Sequence, residues 1–455
     1  MLVQSKNPAT GKLNKDFETF TKYKVLEICK SSRKAFDEWK KQSFDERAYY
    51  LRKLAKVLRQ KKQDYGKIIT MEMGKPINQA MNEVEKCAWA AEIYADNAED
   101  WLKDEVVKTE AKKSVVTFDP LGVILSIMPW NFPFWQALRF GIPALSAGNV
   151  SVLRHSNVVP MCAMAIEEAF NLAGFPQNVF RTVITDHDKV DYLIKTNGLI
   201  DGVSLTGSVE AGKKVAQTAS KNIKKFVLEL GGSDPFIVLE DADLNLACKG
   251  AVDGRTVNSG QSCIAAKRFI VVKDVAEQFT KKVVDLMSRL KVGDPMDEKT
   301  DVGPLANEEQ LEKMEMQIKD AVDKGAKLEV GGKRISGKGW FFEPTVLTNV
   351  KDNMKVLKEE VFGPVMPIIV VRNEKEAVRL ANDSEFGLGA SIWTKDLDKG
   401  FRLAKQIESG MVFVNNIVKS DPRLPFGGIK SSGIGRELSH YGLKEFVNVK
   451  TINIY

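Results

Sequence analysis

Three side chains in this sequence have the types and settings for carbonyl chemistry: Cys263, Glu229 and Asn131. Cys263 follows Gly260-Gln261-Ser262, where a helix over about 244–259 runs out and a strand near Phe269 begins. A thiol on such a turn, beside small residues, is open to a substrate, and its thiolate is a strong nucleophile toward an electrophilic carbon. A free cysteine also serves as a small buried hydrophobe, so the position alone leaves both uses open. Glu229 interrupts the apolar run 226–230 just ahead of Gly231-Gly232. Desolvation there would raise a carboxyl toward the range of a useful base, whereas a glutamate at a solvated strand end would do nothing. Asn131 stands in Pro129-Trp130-Asn131-Phe132-Pro133, directly after the apolar run 123–128. The prolines stiffen that turn and the aromatics give it an apolar wall. The amide is a neutral donor suited to a developing alkoxide, or else it only satisfies the backbone of a rigid loop.

Positioning these groups requires strands that end where the motifs begin. β-branched runs at 150–153, 179–184, 202–205 and 226–230 alternate with amphipathic helices after 123–128, the pattern of a doubly wound α/β unit. The rhythm restarts at 235–239 and continues through 269–272, 366–371, 390–393 and 411–414, which predicts a second α/β unit with its boundary near Gly231-Gly232. Upstream, the first hundred residues read as helices. Val25, Ile28, Phe36 and Trp39 share one face, Ser43 and Glu46 make a capping-box pattern, and alanines at helical spacing follow Gly74-Lys75-Pro76. Residues 106–118 read as extended and charged. The alternation of Val447, Val449, Ile452 and Ile454 predicts a C-terminal strand that must pair with the segment near 110 or with another subunit.

The totals fit this organisation. A chain of 455 residues with 44% hydrophobic and 28% charged residues is a globular protein of two or three domains. No apolar run approaches the roughly 20 residues of a membrane helix. Met1 to Gly11 shows no basic segment followed by an apolar one, so the expected location is cytoplasmic. Net charge is +7 with Lys and Glu interspersed, which implies no nucleic-acid surface. Five widely spaced cysteines without a CxxC, and only three histidines, predict neither a disulfide framework nor a metal site. A general base is therefore expected to be a carboxylate.

The three motifs, in this order, are joined by Asn7-Pro8-Ala9-Thr10-Gly11, Thr206-Gly207-Ser208 and Glu359-Glu360-Val361-Phe362-Gly363-Pro364. Pro425-Phe426-Gly427-Gly428 and Gly435-Arg436-Glu437-Leu438 complete the set. With them the chain resembles the aldehyde dehydrogenase superfamily from residue 7 to the C-terminal strand. The resemblance implies a modified Rossmann cofactor domain (1–106 and 119–231), a second α/β catalytic domain (232–424) and a small β arm of oligomerisation strands (107–118 and 439–455). A homodimer or homotetramer is expected with it. It implies that Cys263 is the nucleophile, that Asn131 and the Cys263 N–H form an oxyanion hole, and that Glu229 activates water. It also implies a nicotinamide cofactor held by Gly207 and Ser208 at a helix N-terminus, by Gly231 and by Glu360 at the ribose. Phe362, Trp130 and Ile127 would line that cleft. Where many members carry Lys-Pro-Ser-Glu, this chain has Arg154-His155-Ser156-Asn157. Loss of the glutamate removes repulsion toward a 2′-phosphate and Arg154 can contact one, so NADP or dual use with NAD is expected.

The run from Phe132 to Arg139, Gly-Gly-Ser-Asp-Pro-Phe at 231–236 and the ending Arg436 to His440 resemble short bacterial succinate-semialdehyde dehydrogenases. Arg139, eight residues after Asn131, corresponds to an arginine that holds the substrate carboxylate in such members, and a buried arginine needs a partner. That partner is the substrate or a structural carboxylate such as one on the 244–259 helix. Trp135, Arg255, Ser420 and Arg423 are further pocket candidates. The expected substrate is a small aldehyde with a distal carboxylate, and the expected function is its oxidation to an acid. Within the same fold, a CoA-acylating enzyme is the alternative that Glu229 argues against. A non-catalytic descendant would be expected to lose one of the three reactive groups.

Overall fold

In the computed structural model, which describes residues 2–455, four helices open the chain after a β-hairpin. They span Lys22–Trp39, Phe44–Gln60, Lys62–Met73 and Ile77–Leu102. Val25, Ile28, Phe36 and Trp39 are all buried, as the 3.6-residue spacing requires. The capping box forms: Glu46 N–H donates to Ser43 Oγ at 3.2 Å and Ser43 N–H to Glu46 Oε2 at 2.7 Å. The hairpin Leu2–Lys6 with Leu13–Glu18 has no counterpart in the sequence reading. Its strands are short, charged and mostly solvent-facing, so they lack an apolar alternation to be read.

A six-stranded sheet runs in the order Gly433–Ile434, Lys225–Glu229, Gly202–Thr206, Val123–Met128, Val150–His155, Phe180–Thr182. All its pairings are parallel except that of the short Gly433–Ile434 edge. The strand first in sequence, Val123–Met128, lies inside, with later strands added to both sides. The crevice beyond its C-terminal end is therefore a topological switch point, where α/β sheets bind ligands. The Trp130-Asn131 turn, Gly207-Ser208 and Gly231-Gly232 all emerge there, because each follows one of three adjacent parallel strands.

A seven-stranded sheet follows the order Lys327–Val330, Thr345–Thr348, Val365–Val371, Ala266–Val272, Asp234–Val238, Gly389–Trp393, Met411–Val414. The first two strands were not foreseen; they are four residues each, at the sheet's edge. The C-terminal strand Val447–Ile454 pairs antiparallel along the whole of Lys113–Pro120, which also pairs with Glu105–Val107. The expected arm at 439–455 is thus a strand only from 447; residues 439–446 form a helical turn against the core through Leu443 and Phe446. Among the described residues no helix is long and apolar enough to cross a membrane.

Candidate active site

The turn carrying Cys263 is built by a break in the preceding helix. Leu244–Thr256 ends, and Asn258 and Ser259 adopt φ of 54° and 55°. Left-handed backbone at non-glycine residues costs of the order of 1–3 kcal/mol each and persists only when the surroundings impose it. Here they do. Asn258 Nδ2 donates to Asn131 O at 2.7 Å and Gln261 O at 3.0 Å, and Ser259 Oγ donates to Gly303 O at 3.1 Å. A Cβ on Gly260 would lie 2.3 Å from the Gly363 backbone. Arg255 braces the same loop from beneath: its guanidinium donates to Ala266 O at 2.8 Å and Gly260 O at 2.6 Å. This corrects the reading of Arg255 as a pocket residue. It sits on the last turn of the helix, wholly buried and outside the cavity lining, and its terminal nitrogens donate to the carbonyls of Gly260 in the Cys263 loop and Ala266 at the start of the next strand.

Beside the thiol, Asn131 is held from both ends. Gln136 Nε2 donates to its Oδ1 at 3.0 Å, while its Nδ2 donates to Gln261 O at 3.1 Å and keeps a second hydrogen free. The Cys263 carbonyl accepts from Lys267 Nζ at 2.7 Å, an ammonium that also binds Ser262 O at 2.9 Å. Burial pushes the Cys263 thiol up to about 12, against the opposing pull of the Arg139 and Lys267 charges.

Glu229, at the end of its strand, is buried with neither carboxyl oxygen hydrogen-bonded among the described residues. Burial first, and the neighbouring Glu437 second, hold its pKa well above the carboxylate range. The carboxyl packs against Gly427, where a Cβ would stand 2.5 Å from Oε1. It is not part of the wall of either cavity that meets Cys263.

On one side of Cys263 lies a cavity of about 280 Å³. Phe132, Trp135, Ile264, Val418 and Phe426 make its apolar wall, and Lys86, Arg139, Lys419 and Ser420 bring polar groups to it. Trp135 and Ser420 both line it. Arg139 lines the cavity too, but its guanidinium is ion-paired with Glu437, donates to Thr206 Oγ1 at 3.3 Å and covers the Phe426 ring. The expected structural partner is thus Glu437, not a carboxylate of the Leu244–Thr256 helix. Arg423 is exposed and paired with Asp421, outside the cavity. Lys86, which the sequence reading did not single out, is the one basic residue on a helix otherwise carrying acidic charges.

The other side opens on a cleft lined by Trp130, Asn131, Gly207, Ser208, Gly231, Cys263, Glu360 and Phe362. Helix Val209–Lys221 starts there with Ser208 as its cap, accepting from Ala211 N–H at 3.2 Å and leaving first-turn N–H groups without intrahelical acceptors. Gly231 is small because a Cβ would be 2.7 Å from Glu360 Oε2. Glu360 accepts from Gly232 N–H at 3.0 Å and faces Lys267 at 3.4 Å, and Phe362 meets Trp130 edge-on. Beyond Ser208 a larger cavity of about 610 Å³ is lined by Ile127, His187, Leu205 and Lys214. Arg154, Ser156 and Asn157 are not in the lining of these cavities. Arg154 is buried, its Nε donates to Thr185 O at 3.3 Å and its terminal amine to Asn157 Oδ1 at 3.4 Å. A glycine-lined helix start beside two strand-end clefts fits a dinucleotide, with phosphates at the N–H groups and ring systems in the two recesses.

The family model described as "Aldehyde dehydrogenase family" matches residues 2–452. The chain is 47% identical to a probable succinate-semialdehyde dehydrogenase [NADP(+)] of Synechocystis, covering 99% of both chains. It is 44% identical to a succinate semialdehyde dehydrogenase [NAD(P)+] of Escherichia coli K12, covering 98% of this chain and 96% of that one. Among solved structures, the succinic semialdehyde dehydrogenase of Streptococcus pyogenes with NADP+ superposes with a TM-score of 0.97 at 36% identity over 99% of each chain. With a thiol on the turn after a broken helix, an amide beside it and clefts on two sides, the chain belongs to the aldehyde dehydrogenase family.

Proposed function

We propose that the protein oxidises succinate semialdehyde, or a closely similar short aldehyde with a distal carboxylate, to the acid, using NADP in preference to NAD. The observation that carries the substrate reading is the cavity ending on Cys263, apolar along its wall and cationic among its charged groups apart from Glu83, which is already spent on Lys75. The names of the relatives above agree with it. Cys263 gives its thiol proton to solvent water as Sγ bonds to the aldehyde carbon, and the carbonyl π pair becomes the alkoxide. The alkoxide is met by the free hydrogen of Asn131 Nδ2 and by the Cys263 N–H, which donates to no protein acceptor among the described residues. A nicotinamide dinucleotide held between Trp130, Ser208 and Glu360 supplies the acceptor for the two electrons and hydrogen that leave the substrate carbon. Glu229 then turns toward Cys263, takes a proton from water, and the hydroxide opens the thioester, returning the thiol.

We further assign the sheet of residues 123–229 to cofactor binding and that of 234–414 to catalysis. The exposed Val106, Val449, Ile452 and Ile454 of the three-stranded sheet fit a contact with a second copy. The test is turnover of succinate semialdehyde and butanal with each cofactor. A specificity constant higher for the semialdehyde, higher with NADP, and lost in Cys263→Ala is expected. A preference for butanal would reject the substrate reading.

A further inference from the structure

The Asn131 turn and the Cys263 loop are far apart in the chain, yet one helix, Ile77–Leu102, is bonded to both. Gln79 and Glu83 stand four residues apart and hence on one face of it. Gln79 Oε1 accepts from the N–H of Asn258 at 2.7 Å, at the first of the two left-handed residues ahead of Cys263. Glu83 Oε1 accepts from the N–H groups of Phe134 and Trp135, both at 2.9 Å, just beyond Asn131.

The second contact is a helix cap supplied from outside. Helix Pro133–Ser146 begins at Phe132, whose side chain makes no capping hydrogen bond. Pro133 has no N–H, and the N–H of Gln136 already reaches Phe132 O at 2.9 Å. The two donors left over in the first turn are those that Glu83 takes, and an anion there also meets the positive end of the helix dipole. The other Glu83 oxygen is ion-paired with Lys75, whose Nζ lies 3.6 Å from the centre of the Phe132 ring. Both partners are buried. A buried ion pair is often no more stabilising than apolar residues of similar volume, so packing alone does not explain this one.

From the capped turn a series of bonds leads to the amide beside Cys263. Gln136 belongs to that turn, and its Nε2 holds Asn131 Oδ1 at 3.0 Å, which aims Asn131 Nδ2. Asn258, fixed by Gln79, donates in turn to Asn131 O at 2.7 Å. We propose that Gln79 and Glu83 are positioning residues that set the Asn131 amide against Cys263, so that one helix face braces the oxyanion hole. This rests on the reading of Asn131 as a donor to the alkoxide. The acceptor oxygens of both side chains are spent on the two loops, so they act through Asn131 and favour no particular aldehyde.

The experiment measures kcat and KM for succinate semialdehyde and butanal in Glu83→Gln, Gln79→Leu and Asn131→Ala, and in each of the first two combined with Asn131→Ala. Melting temperature and NADP binding report folding. Should Glu83→Gln not fold, Gln79→Leu, which strands no charge, carries the test. Turnover should fall about 100-fold in Glu83→Gln, the scale of a displacement of about 1 Å in a reacting geometry, and about tenfold in Gln79→Leu. KM should stay unchanged and the two aldehydes should lose alike, as when an interaction is lost only in the transition state. In the Asn131→Ala background neither substitution should lower kcat further, because the group they aim is gone. Cys263 is the one free cysteine that is not buried, and its alkylation by iodoacetamide forms no alkoxide. That rate should therefore match the wild type in Glu83→Gln. Losses that multiply with Asn131→Ala, alkylation that falls as far as turnover, or an unchanged kcat in both single variants would overturn the brace alone. A normal kcat in Asn131→Ala would overturn the oxyanion reading together with it.

Discussion

The two clefts that meet at Cys263 solve the same problem, placing polar groups in a buried site, by different means. On the cofactor side the polar groups are mostly backbone: the free N–H groups at the start of Val209–Lys221, and Gly232 N–H on Glu360. On the aldehyde side they are long side chains from distant segments: Lys86 on Ser420 and Arg139 on Glu437. Backbone groups are aimed by secondary structure, so a few glycines and a strand end suffice to specify them. Side-chain groups are aimed by whatever packs against them, and their charges are set by partners hundreds of residues away. The cofactor cleft is therefore the general part of the molecule and the aldehyde cavity the particular part.

The sharpest test of that division is Glu229, which belongs to neither cavity wall. Glu229→Gln should pass one hydride per site in a burst and then stall at the thioester, with steady-state turnover down by about 10²–10⁴-fold. Rapid-mixing absorbance of the reduced cofactor reads both phases. Normal steady-state turnover would remove Glu229 from the reaction.

Next in size is Arg139→Ala. It strands Glu437 as an unpaired buried carboxyl beside Glu229, a change of about 3–5 kcal/mol for broken buried pairs. The expected outcome is a lower urea midpoint and losses on both succinate semialdehyde and butanal. A loss confined to the semialdehyde, at unchanged stability, would assign Arg139 to the substrate carboxylate alone.

The smallest effect concerns the cofactor side. Asn157→Glu would place a carboxylate against the Arg154 guanidinium, which Asn157 already touches. The pair would neutralise the local positive charge and repel a 2′-phosphate. The ratio of NADP to NAD specificity constants should drop about tenfold, or about 1.4 kcal/mol. An unchanged ratio would mean that groups in the neighbouring cavity, such as Lys214 and His187, set the preference instead.

Several parts of this arrangement were legible without the fold. The helical faces of Val25 to Trp39 and the Ser43–Glu46 cap follow from short-range periodicity, because neighbouring turns of one helix decide them. Alternating strands and helices placed the ends of Val123–Met128, Gly202–Thr206 and Lys225–Glu229 within a residue or so, and with them Asn131, Ser208 and Glu229. The hairpin at Leu2–Lys6 and the edge strands Lys327–Val330 and Thr345–Thr348 escaped notice. Short or half-solvated strands carry no clean alternation to detect.

By itself the sequence singled out the candidate groups, a thiol, an amide and a carboxyl, because the strand and helix ends that carry them are written in local pattern. Only the tertiary structure decided the state of the charges. It paired Arg139 with Glu437, 298 positions away, turned Arg255 onto backbone carbonyls of the Cys263 loop and the strand after it, and left Lys86 without an ion-paired carboxylate among the described residues. The reason is physical: a side chain's type is local, but whether a buried charge is neutralised depends on which distant chain segment folds against it, and no spacing along the sequence records that.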